Sequence, residues 1–169
     1  MLEPIPDLLD DNLKIVFVGF NPSIRSGETG HHYANPRNRF WNILHQSGLT
    51  DRVYDPREDR LLLTKFGYGF TNIVERPTKE AAEITKAEYK DGKVLLRKKL
   101  KRYQPQVVCF VGKGVYNQYS GRRKVEWGLQ KEPVISGMKE FVAPSSSGLV
   151  RMKIIDIIRI YEKLHEIVV

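Results

Sequence analysis

Two periodicities divide the apolar positions of this chain. Short apolar runs bounded by turn residues predict buried strands at residues 14–19 (KIVFVG), 70–74 and 106–112, the last being the clearest. Weaker strand patterns follow at residues 134–136 and 140–143. Elsewhere the spacing turns helical. Asn35-Pro36 reads as an N-cap with proline at the first helical position, and Phe40, Ile43 and Leu44 recur at helical spacing until Gly48. Residues 61–66 predict a short helix closed by Gly67. Thr85 with Glu88 makes a capping box that opens a longer helix with Tyr89, Leu96, Leu100 and Tyr103 on one face. Gly112-Lys113-Gly114 turns the third strand into another short helix, and residues 152–167, apolar around most of the circumference, predict a deeply packed closing helix.

Strands alternating with helices imply an α/β fold, a three-layer α/β/α sandwich with a central, mostly parallel sheet. With no repeat, low-complexity tract or composition break, residues 1–169 are expected to form one domain. Ligands of such sheets bind outside the carboxyl ends of the strands. The two unusual loops, residues 20–35 and 144–151, both follow candidate strands and are expected to meet in one cleft.

Composition narrows the class. Hydrophobic residues at 41% and charged residues at 28% give a globular balance that disfavours disorder. No apolar run reaches the ~18 residues of a membrane span. Residues 1–13 carry acids and prolines where a signal peptide needs a basic start and an apolar stretch, so the chain is expected to be intracellular, with no membrane partner. The single cysteine, Cys109, lies in an apolar run, which excludes an internal disulfide, a four-cysteine zinc site and an iron–sulfur cluster and reads as a core position. Lys plus Arg number 28 against 20 Asp plus Glu, and a net charge of +8 favours a polyanionic partner. The excess is clustered: residues 86–102 hold eight basic residues against two acidic ones, and Arg122-Arg123-Lys124 forms a second block. A solvated helix face also accounts for such runs.

The first loop carries Phe20-Asn21-Pro22-Ser23 and then Gly30-His31-His32-Tyr33-Ala34-Asn35. Proline holds Asn21 away from helical geometry, so its amide could be fixed beside the strand end, although an Asn-Pro turn explains the same residues. His31 and His32 are adjacent and diverge in an extended loop, with no third ligand nearby, which argues against a metal. In the second loop, Pro144-Ser145-Ser146-Ser147-Gly148-Leu149-Val150-Arg151, hydroxyls and backbone N–H groups suit phosphate contacts. A protruding Leu149 is costly unless something covers it. A flexible serine–glycine turn is the plain alternative. Neither a nucleophile elbow nor a Walker A lysine pattern is present.

Taken together, these segments resemble a family. Phe20-Asn21-Pro22 with residues 30–41, Gly69-Phe70-Thr71-Asn72-Ile73-Val74-Glu75-Arg76, Glu126-Trp127-Gly128-Leu129-Gln130 and Pro144-Ser145-Ser146-Ser147 look, in that order, like the mismatch-specific uracil-DNA and thymine-DNA glycosylases of the uracil-DNA glycosylase superfamily. The resemblance runs from about Lys14 to Arg151. It implies a monofunctional base-excision-repair glycosylase, expected to be monomeric and without cofactor or metal. Such an enzyme flips uracil, or thymine or a modified cytosine, from mismatched duplex DNA and hydrolyses its N-glycosidic bond, leaving an abasic site.

By motif matching, Asn21 takes the catalytic position and orients the attacking water; an amide is no general base, so catalysis rests on positioning and electrostatics. Phe20, His32, Tyr33 and Asn72 match the base pocket, Tyr33 at the position that stacks on the flipped base, with core packing as its alternative. Ser145, Ser146, Ser147 and Gly148 match the phosphate grip, Leu149 the wedge and Arg151 a backbone or opposite-strand contact. The aspartate and histidine of faster relatives are missing, which predicts slower chemistry that leans on a good leaving group. Thymine-type relatives carry arginine where Leu149 stands and the bacterial type carries leucine, so the chain mixes two patterns. Two other classes compete: a non-catalytic lesion-binding module on the same fold, separated by single-turnover cleavage of a G·U duplex, and an enzyme of free nucleotides, separated by dependence on duplex DNA.

Overall fold

The computed structural model describes residues 3–168. Its strands are β1 (Ile15–Gly19), β2 (Tyr68–Asn72), β3 (Val107–Val111), β4 (Gly128–Leu129) and β5 (Lys139–Ala143), joined in one sheet in the order β2-β1-β3-β5-β4. β1 pairs in parallel with β2 on one side and β3 on the other, β3 pairs in parallel with β5, and the short β4 closes that edge antiparallel. At the opposite edge Leu8 covers β2, exchanging two 2.9 Å backbone hydrogen bonds with Phe70.

All residues of β1 and β3 are buried, as a strand covered on both faces requires. Ile15, Phe17, Val107, Cys109 and Phe141 face one helical layer, made of α2 (Phe40–Gln46), α3 (Asp59–Phe66) and α6 (Ile154–Val168). Val16, Val18, Val108, Phe110 and Val142 face the other, made of α4 (Lys86–Tyr103) and α5 (Lys113–Ser120). The period of two thus sorts each strand's side chains into two cores, and each fully buried side chain contributes roughly 1.5–3 kcal/mol. This is the three-layer α/β/α sandwich read from the sequence. The capping box of α4 is present in both directions: Thr85 Oγ1 accepts the Glu88 N–H at 3.2 Å and the Glu88 carboxylate accepts the Thr85 N–H at 2.8 Å.

Four local expectations are corrected. The helix expected from Asn35-Pro36 begins at Phe40, because Asn35 Oδ1 accepts the Arg37 N–H at 2.9 Å, Asn38 Oδ1 accepts the Phe40 N–H at 3.0 Å, and the Arg39 N–H goes to the Ser146 carbonyl. The second strand lies two residues earlier than its hydrophobic run, since pairing with β1 and with Leu8 sets its register. Residues 134–136 are no strand: the Val134 N–H goes to Glu140 Oε2 and the Met138 N–H to the Ile135 carbonyl, closing a turn. Helix α6 is two-sided, with Ile154 40% and Ile155 49% exposed beside the buried Ile157, Ile158, Tyr161 and Leu164. The first loop also contains a helix that the polar sequence hid, α1 (Ile24–Thr29), capped by Ser23, whose hydroxyl accepts the Ser26 N–H.

Gly92 lies in α4 where the helix crosses the chain leaving β2, and a Cβ there would stand 1.9 Å from the Ile73 carbonyl oxygen. Glycine-to-alanine in an open helix stabilises by about 1 kcal/mol. Here Gly92→Ala is expected to destabilise by more than ~2 kcal/mol in chemical denaturation, because backbone rather than a mobile side chain blocks the methyl group; a gain in stability would refute the close crossing.

Candidate active site

A cleft of about 950 Å³ opens at the carboxyl ends of the parallel strands, where β1 and β3 send their connections to opposite faces of the sheet. It is lined by Phe20, Asn21, His32, Tyr33, Asn72, Ser145, Ser146, Ser147, Gly148 and Leu149, so the two unusual loops do meet. Arg151 is exposed and lies outside the lining.

Asn21 is fixed by two acceptors. Its Nδ2 donates to the Arg76 carbonyl at 2.7 Å and to Thr78 Oγ1 at 2.8 Å, and the Thr78 hydroxyl donates in turn to the Glu80 carbonyl at 2.8 Å. A carbonyl oxygen only accepts, so the amide nitrogen must face Arg76. Both Nδ2 protons are then engaged, and Oδ1 remains as an acceptor for a water or ligand in the cleft. The chain reaches Arg76 because β1 and β2 stay paired beyond their strands, with the Ile73 N–H on the Gly19 carbonyl and the Val74 N–H on the Phe20 carbonyl.

Gly19 ends β1 under two pocket side chains. A Cβ there would meet Asn72 Oδ1 at 2.7 Å and the Tyr33 hydroxyl at 3.4 Å, so glycine lets both close over the strand. Tyr33 holds a left-handed backbone, φ 51°, which is costly for a bulky residue, and Trp41 Nε1 donates to its carbonyl at 3.1 Å. Its ring stacks on Phe40 with centroids 3.9 Å apart and also lines the cleft, so core and cleft share one side chain. The hydroxyl is buried without a partner, and burial pushes its pKa far above the ordinary tyrosine range, keeping it a neutral donor. Phe20 packs against Gly114, where a Cβ would come within 2.6 Å of its ring, and against Tyr89.

The paired histidines diverge. His32 is buried against Phe70, with Nε2 2.9 Å from the Pro6 carbonyl, so that nitrogen carries the proton and Nδ1 is left as an acceptor. Burial lowers its pKa and holds it neutral. Its backbone N–H donates to Asp59 Oδ2 at 3.1 Å, while His31 Nδ1 lies 3.2 Å from Asp59 Oδ1. Among the described residues no group of three His, Cys, Asp or Glu side chains could hold a metal ion.

The serine loop folds on itself: Ser145 Oγ accepts the Ser147 N–H and Ser147 Oγ accepts the Leu149 N–H, which leaves both hydroxyl protons available to an anion. Ser146 Oγ is buried without a partner. The first loop clasps the second through the Arg39 N–H on the Ser146 carbonyl, 2.9 Å, and the Arg39 guanidinium on the Ser147 carbonyl, 3.2 Å. Gly148 approaches so closely that a Cβ would lie 2.8 Å from the Arg37 carbonyl. At the tip, Leu149 is 88% exposed.

Sequence reasoning missed the partners of these groups. Arg76 and Thr78 hold Asn21, residues 78–81 line the cleft, and Arg39 holds the serine loop. Pro77, which disfavours helical geometry at Arg76, was the one available signal.

A sheet covered on both faces, with a cleft open at its switch point, defines an α/β protein whose candidate ligand site lies at the strand ends. The chain belongs to the uracil DNA glycosylase superfamily, whose sequence model matches residues 6–164. That family acts on DNA. Its fold is similar to the solution NMR structure of a "putative Uracil DNA glycosylase" from Methanosarcina acetivorans, with a TM-score of 0.63, 20% identity, and 96% of this chain and 98% of that one covered. Among the described residues no helix is long and apolar enough to cross a membrane.

Two outcomes follow from the site's electrostatics. In Asn21→Asp a carboxylate oxygen would face the Arg76 carbonyl, so its pKa is expected above the ordinary ~3.9 in a carbon-13 NMR titration; a value at or below that would show that the clamp does not select an amide. His32 is neutral when folded and titrates normally when unfolded, so below about pH 6.5 the unfolded state binds the extra proton. Stability is therefore expected to fall from pH 7 toward pH 5, with a flatter profile in His32→Phe, measured by denaturation at each pH.

Proposed function

We propose that this protein is a monofunctional DNA glycosylase that removes uracil, and with it thymine or modified cytosines as further candidates, from mismatched duplex DNA. One observation carries the reading: the amide of Asn21 is clamped by two acceptors, leaving Oδ1 as an oriented acceptor in the cleft, beside Asn72 and Tyr33 and across from a serine loop tipped by an exposed leucine.

In this mechanism the target nucleotide leaves the stack, its base enters the pocket against Tyr33, and the hydroxyls of Ser145 and Ser147 meet its flanking phosphates. Leu149 fills the vacancy. Extrusion costs a few kcal/mol and least for a mismatched base, which supports preference for mismatches. Asn21 Oδ1 accepts a hydrogen bond from water and points its oxygen at C1′. As the C1′–N1 bond breaks, its electron pair leaves with N1 and the water oxygen bonds C1′; the water's proton passes to solvent and the base is protonated in turn. Asn21 takes no proton, so the rate depends on a positioned nucleophile and a stable leaving anion. Excision from duplexes carrying each base opposite guanine and adenine, compared with single strands and free deoxyuridine, tests the reading; duplex binding without cleavage would refute it.

Asn21→Ala is expected to slow single-turnover excision ~100-fold or more while stability changes by less than ~1 kcal/mol, since the bond to Arg76 is solvent-accessible. Leu149→Ala is expected to slow excision of uracil opposite adenine more than opposite guanine, because a mismatch has already lost part of its pairing, with an unchanged melting temperature. Equal losses on both duplexes with a destabilised fold would mean that Leu149 packs on its own domain.

A further inference from the structure

The cations of α4 differ in their surroundings. Toward its end three are engaged within the protein, Lys99 with Asp7 and Glu75, Arg102 with Asp11, and Arg97 with the Tyr119 carbonyl, while Lys98 and Lys101 are exposed. In the first half, Lys86, Lys90 and Lys93 pair with no carboxylate among the described residues and surround a second hollow of about 160 Å³, completed by Tyr89 and by Gln118 of α5. Their spacing of four and three places all three on one helix face. The acids of this segment are turned away or engaged: Glu88 holds Arg76 and the α4 cap, and Asp91 lies roughly 140° round the helix from Lys86. The hollow adjoins the main cleft, since Tyr89 meets Phe20 edge-on at 6.3 Å and Phe20 lines the cleft.

We propose that this hollow is a second contact for the DNA backbone, gripping phosphates beyond those at the flipped nucleotide; the proposal rests on the glycosylase reading for its ligand. Lys86 to Lys93 span about 10 Å of helix, or about three strand steps at ~3.4 Å of duplex axis each, which leaves room for two or three phosphate contacts. An apolar partner would leave three ammonium groups desolvated and unpaired, whereas a polyanion supplies the missing carboxylates' charge. Gln118 adds a neutral donor, and the Tyr89 ring adds a flat apolar wall for a sugar.

The test is the salt dependence of duplex binding by a Lys86→Gln, Lys90→Gln, Lys93→Gln triple variant. Each phosphate contact contributes about −0.9 to the slope of log affinity against log salt, so a slope shallower by about 2 is expected, and the affinity lost between ~50 and ~200 mM salt becomes about tenfold smaller. A triple arginine variant should keep the wild-type slope. Glutamines at Lys98, Lys101 and Lys163, exposed positions outside the hollow, remove equal charge and should leave it nearly unchanged. An unaltered slope in a folded glutamine triple, or an equal change in that control, overturns the proposal. A wild type that excises uracil with the same slope in all variants refutes this contact alone. One that binds duplex with the expected slopes yet excises nothing refutes the glycosylase reading and leaves the contact standing.

Discussion

Strand β1 is hydrogen-bonded on both edges and covered on both faces, and this confinement shapes the rest of the molecule. A strand so enclosed must release its chain at its carboxyl end, into the crevice that opens where β1 and β3 send their connections to opposite layers. Gly19 makes the exit tight, admitting Asn72 and Tyr33 over the strand end, and continued pairing with the residues after β2 carries Asn21 to the Arg76 carbonyl. The cleft is therefore a product of strand pairing before it is a product of loop sequence. The loops elaborate a position that the sheet has already selected.

What was legible in the sequence was whatever a single segment decides. The runs that became β1 and β3, the Thr85–Glu88 box and the glycine that ends α3 each depend on near neighbours. Where distant residues compete, local reading failed. Asn35-Pro36 has the chemistry of a helix start, but Asn35 turns the chain and Arg39 gives its N–H to a serine more than a hundred positions away. Residues 134–136 have strand composition, yet the buried Glu140 draws the Val134 N–H into a turn.

The site divides in the same way. Asn21, Tyr33 and the serine loop announce themselves by unusual chemistry in loops and by resemblance to a family. Their supports do not, because a backbone carbonyl such as that of Arg76 or Ser146 has no identity in a sequence. Tyr33 shows the limit of choosing between core and function: one ring packs on Phe40 and lines the cleft at once. The basic run of residues 86–102 likewise splits, since three cations of a pattern that looks uniform are tied into the protein and three others line one hollow.

The N-terminal arm gives the cleft a particular history. Pro6 holds the His32 ring and Leu8 zips to Phe70, so one wall hangs from a contact that closes a loop of about sixty residues. Closing such loops is entropically slow and gains nothing until the sheet edge exists to receive the arm. The cavity should consequently be among the last features to form as the chain folds. A partly opened chain would therefore keep its serine loop while lacking the finished wall behind it.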